Sequence, residues 1–117
     1  MSKFMLLIHS DPAAGNDVDE TAMMGEYWAY TQDLMAAGAL VAGDPLQGVE
    51  TAKTVGKGSV TDGPFAETAE QLGGYYIIDV PSIDDAVEWA SKVPNVAHDY
   101  GHVEVRPLFE LPPEMAP

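Results

Sequence analysis

A chain of 117 residues with 46% hydrophobic content makes one domain around a single core. Its 19 acidic residues face only 5 basic ones, a formal net charge of −14, which argues against phosphate backbones and anionic lipid, so no nucleic-acid or membrane partner is expected. It has no cysteine, which excludes disulfides, thiolate nucleophiles and cysteine metal sites.

Phe4 to Ile8 is continuously apolar and runs into His9-Ser10-Asp11-Pro12, the pattern of a buried strand ended by turn formers. The run is too short to cross a bilayer and no cleavage signature follows it, so a soluble cytoplasmic protein is expected. A helix is predicted over about 18–37, with Met24, Tyr27 or Trp28, Thr31, Leu34 and Gly38 at helical spacing. Asp17 and Glu20 suit its capping box, and Gly38 suits its end. Ala39 to Gln47 is a second strand, interrupted at Gly43-Asp44-Pro45. Thr51 to Val55 and Ser59 to Thr61 read as a hairpin around Gly56-Lys57-Gly58, followed by a forced turn at Asp62-Gly63-Pro64. Gly73 to Val80 is the clearest strand. Ser82 opens a second helix with the apolar stripe Ile83, Ala86, Val87, Ala90 and Val93, and Pro94 stops it. His102 to Leu111 is the last strand, where Pro107 implies an edge position or a bulge.

This order predicts an α+β fold, a ferredoxin-like β-α-β-β-α-β unit with an inserted hairpin, as one domain over 1–117. Two helices cover one face of the sheet, yet the first strand is apolar on both faces. A second apolar face left in water is unfavourable, and two copies meeting across a two-fold axis would cover it. A homodimer is therefore expected; the rival is a monomer whose hairpin folds over its own sheet.

Five blocks in order carry a family resemblance: Lys3 to Ile8, Ala37 to Gly43, the Asp62-Gly63-Pro64-Phe65 signature with Ala66 and Glu67, Glu70 to Tyr76, and Val103 to Pro107. Through them the chain resembles the DGPF branch of the YCII-related family. That resemblance implies a dimeric α+β barrel. The better-studied branch places a His of a His and Asp pair on the first helix. The equivalent position here is near Tyr27, and the first helix contains no histidine, so that pair does not carry over.

The residues offer other chemistry. His9 ends the first strand, and by alternation it shares a side with Asp11, whose carboxylate would orient the imidazole for acid–base work. Structural hydrogen bonding is the competing role. Asp62 is either the builder of its own turn or a carboxylate held at a cleft mouth. Arg106 would clamp a carboxylate substrate or pair with Glu104, Asp79 or Asp44. Alternation puts His9, Tyr75, Asp79, Glu104 and Arg106 on the sheet face away from the helices, with Phe4, Leu6, Ile8, Val103 and Val105 beneath them. Glu67 and Glu70 read as a solvated pair. His98, Asp99 and His102 lack the spacing of a zincin, and no metal or cofactor is expected. The leading reading is a small-molecule enzyme with catalytic His9, Asp11 and Asp62, and with Arg106, Tyr75, Asp79 and Glu104 binding substrate at the dimer interface. The alternative is a non-catalytic metabolite-binding or regulatory module.

Overall fold

Strand β1 (Ser2–Ser10) shows the alternation on which the architecture rests: Phe4, Leu6 and Ile8 are buried, while Met5, Leu7 and His9 between them are half-buried on the other face. The computed structural model describes residues 2–13 and 19–116. Antiparallel to β1 lie β5 (Gln71–Val80) on one side and β6 (Gly101–Pro107) on the other, and β2 (Leu40–Pro45) pairs with the far edge of β5. The order β2-β5-β1-β6 is the ferredoxin-like sheet, with β6 at an edge as Pro107 requires. A separate hairpin, β3 (Lys53–Gly56) and β4 (Ser59–Asp62), is inserted before β5.

Helices α1 (Glu20–Ala36), α2 (Ile83–Ala90) and α3 (Pro94–Ala97) cover one face. Tyr30, Leu34, Ala86, Ala90 and Val93 meet Phe4, Leu6, Ile8, Tyr76, Ile78 and Val80 in one core. Val103 and Val105 pack against it. Tyr76 thus belongs to the helix side, where its hydroxyl lies 2.7 Å from Thr31 Oγ1, and Tyr75 faces the other way.

Three details differ from the sequence reading. Met24 and Trp28 are exposed, and the inward face of α1 runs instead through Tyr27, Tyr30 and Leu34, because Tyr30 packs edge-on against both Tyr76 and Trp89. Likewise Ile83 and Val87 are exposed on α2, and Trp89 packs on the core in their place. Pro94 does not stop α2, which already ends at Ala90; it opens α3, where its missing N–H costs nothing. Asp19 caps α1, its carboxylate accepting from Thr21 N at 2.9 Å; Asp17, expected in that role, lies outside the described residues. Every residue of the hairpin except Thr54 is exposed, so it does not fold over the sheet's second face. No helix among the described residues is long and apolar enough to cross a membrane.

Candidate functional site

Where β1 ends, its pairing with β5 shifts register between Ile8 and His9, and His9 lines a cleft of about 740 Å³. One wall is the chain after β2, with Leu46, Val49 and Ala52; another is the loop after β4, with Pro64, Ala66 and Thr68; Leu72 of β5 adds to them. Short hydrogen bonds to backbone carbonyls hold these walls together. Leu46 N donates to Gly73 O at 2.8 Å, Gly63 N to Ala52 O at 2.8 Å, and Thr54 Oγ1 to Gly63 O at 2.8 Å. Gly63 sits at φ +95°, a conformation that glycine alone adopts readily, so the Asp62-Gly63-Pro64 sequence has a geometric reason. The polar lining is His9, Gln47, Thr51, Glu67, Thr68 and Gln71.

His9 Nε2 is buried and has no hydrogen-bond partner among the described residues. It lies 3.8 Å from Glu104 Oε1, and Arg106 Nη1 donates to the other carboxylate oxygen, Glu104 Oε2, at 3.1 Å. Arg106, Glu104 and His9 therefore form a line across β6 and β1. The antiparallel pairing creates it: Leu7 opposes Glu104 and His9 opposes His102, with Glu104 two residues from His102 on the same face. Beneath His9 the wholly buried Asn95 of α3 donates from Nδ2 to His9 O at 3.0 Å, to Ser10 Oγ at 3.3 Å and to His102 O at 3.3 Å. One amide thus fixes the backbone at both histidines. Gly101 makes room for it: a Cβ there would stand 2.7 Å from Asn95 Nδ2 and against His9 O.

The other expected residues scatter. Asp11 turns away from the imidazole and accepts from Ala13 N at 2.8 Å. Asp62 pairs with Lys53 across the hairpin, on an exposed face, rather than standing at the cleft. Tyr75 donates to Asp44 Oδ2 at 3.1 Å, and that carboxylate holds the phenol above its usual pKa. Asp79 lies four residues along on β5, and its Oδ1 is buried without a partner among the described residues. Of the expected site residues only His9 lines the cleft; Glu104 and Arg106 stand behind it. His98 binds Glu26 at 2.8 Å, whereas His102 binds Glu70 at 2.7 Å, so the two histidines answer to different carboxylates. No three His, Asp or Glu side chains are grouped to hold a metal ion among the described residues. The loop residues Leu46 to Ala52 and the buried Asn95 escaped the sequence reading. The loop has no periodicity, and a single Asn after a proline has no signature.

With this geometry in place, the comparisons with other proteins fall in line with the fold. Residues 2–112 match the YCII-related domain, and the chain belongs to that family. It is 45% identical over 64 residues to the uncharacterized protein R00369 of Rhizobium meliloti (strain 1021), covering 55% of this chain and 52% of that protein. The match thus spans about half the length of that curated relative. The fold is similar to that of the 5-chloro-2-hydroxyhydroquinone dehydrochlorinase TftG from Burkholderia phenoliruptrix AC1100, solved with 2,5-dihydroxybenzoquinone. That likeness has a TM-score of 0.54 at 16% identity and covers 88% of this chain and 90% of that one.

Proposed function

We propose that this YCII-related protein is a small-molecule enzyme in which His9 moves a proton and Glu104 stabilises the imidazolium. The observation that carries the reading is His9 in a cleft wall, its Nε2 buried without a hydrogen-bond partner among the described residues and 3.8 Å from a carboxylate whose second oxygen Arg106 occupies. A polar atom buried without a partner is costly, and such atoms concentrate at sites that do work. With Nε2 turned to Glu104, Nδ1 is the nitrogen left for the substrate. In an elimination, the imidazole would take a C–H proton, the C–H electron pair would form the new double bond, and the leaving group would depart with its own bonding pair. The imidazolium then returns its proton to that group or to water. A fold relative that bears the name dehydrochlorinase makes elimination the reaction class to try first. General acid–base catalysis of this kind contributes about 10²–10⁴-fold.

The working assembly in this reading is a homodimer joined through the open sheet face. That face carries half-buried Met5, Leu7, Tyr75 and Ile77, the hairpin leaves it uncovered, and Asp79 Oδ1 on it has no partner among the described residues. Pairing there would bury Glu104 further and strengthen its hold on His9.

A turnover screen of compounds with an acidic C–H beside a leaving group, run with the wild type and His9→Gln together, tests the proposal. Loss of about 10²-fold or more in turnover, with ligand affinity kept, supports it. Equal turnover removes His9 from the chemistry, and loss of affinity alone favours the non-catalytic binding module.

A further inference from the structure

We infer that the His9 cleft takes an uncharged compound with an apolar body and hydroxyl or carbonyl substituents, and rejects carboxylates and phosphates. The inference rests on reading that cleft as the working site. None of the five basic residues lines it. Arg106, the one guanidinium, is held by Glu104 and lies outside the lining. Lys53 is held by Asp62. Among the described residues the one carboxylate in the wall is Glu67, which repels anions, and the whole chain carries −14. A carboxylate moved into such a place gives up its water without gaining a cation.

What the cleft does offer is neutral. Gln47 and Gln71 present amides, which donate to carbonyl oxygens and accept from hydroxyls, while the hydroxyls of Thr51 and Thr68, already donating to Gly48 O and Glu70 O, can accept. Between them the wall is apolar, from Leu46, Val49, Pro64 and Leu72. An open cleft of about 740 Å³, with an apolar floor and a few polar groups at its rim, has the volume a small organic molecule needs. His9 and Glu67 are the groups of the described lining able to exchange a proton with the occupant, and of the two only the imidazole is backed by a carboxylate, Glu104. Arg106 is thereby reassigned, from a clamp on an anionic substrate to a positioning residue for Glu104.

Calorimetric binding of 4-hydroxybenzamide and 4-hydroxybenzoate tests this. The two have the same ring and hydroxyl and differ in charge. The amide should bind at least tenfold more tightly, and Gln47→Lys, on an exposed loop, should narrow that gap by raising the affinity for the benzoate. Benzoate binding as tight as the amide, or no binding of either up to the solubility limit, would overturn the inference. If the amide is preferred while His9→Gln keeps full turnover, the proton-transfer reading falls and the substrate class stands.

Discussion

Asn95 is the residue on which the site's geometry turns. Its side chain is fully buried, it links α3 to the ends of β1 and β6, and its Nδ2 reaches both histidine carbonyls. Replacement by Ala leaves buried polar groups without their partner, a loss of about 1–3 kcal/mol. Asn95→Ala should therefore lower the urea midpoint by that equivalent and weaken ligand binding in the cleft. Gly101→Ala should be worse, because the new methyl meets His9 backbone and Ser10 Cα, at 3.0 Å, rather than a side chain that can yield. Burial also raises the Tyr27 and Tyr30 phenols above their usual range, with Tyr100 adding to the first effect and Tyr76 to the second. The folded state then keeps protons that the unfolded chain sheds above about pH 10. This contribution to stability is complete below that pH and is lost as pH climbs. Denaturant midpoints should fall above about pH 10, with tyrosinate absorbance rising as the protein unfolds. Of this scale, His9 was legible from its place at a strand end. Its carboxylate was not: Asp11 is two residues away in sequence, but Glu104 is the neighbour across a strand pairing, which no local spacing reveals.

At the scale of elements, the strands were the easier part. Their alternating burial is a property of two-residue repeats, and residues 4–8 of β1 and 74–80 of β5 keep it. Ser82 was equally plain: it caps α2 by accepting from Asp85 N at 3.3 Å, so Ser82→Ala should cost about 1 kcal/mol by chemical denaturation. The orientation of α1 was harder, because Tyr27-Trp28 and Met23-Met24 place apolar residues on both sides of one helix. Which of each pair turns inward is decided by Trp89 and Tyr76, which arrive from elsewhere in the chain. Trp28→Ala should therefore stay within about 0.5 kcal/mol of wild type, while Tyr30→Ala should cost about 3–5 kcal/mol in the same experiment. The Asp62-Gly63-Pro64 segment was read as a forced turn, and Gly63 takes a positive φ there; its glycine, not its aspartate, carries the geometry.

For the whole molecule, charge and shape oppose one another. The open face of the sheet favours association, whereas two chains at −14 repel. Salt screens that repulsion within about 8–10 Å at 0.1–0.15 M, so dimerisation by sedimentation should strengthen with added salt. Weakening with salt would mean that ion pairs, not the apolar face, join the copies. The fold was legible at this level because element order and face polarity restrict a chain of this size to few packings. The cleft was not, because two irregular loops on either side of the hairpin build most of it, and neither has a periodicity to read. The central claim is that this cleft, through His9, is where the protein works. Histidine side-chain NMR, with the His9 signal assigned by its loss in His9→Gln, tests it most directly as 4-hydroxybenzamide is added. The account predicts that the His9 resonances move in step with saturation while those of His98 stay fixed. Saturation of the protein with His9 unmoved would contradict it.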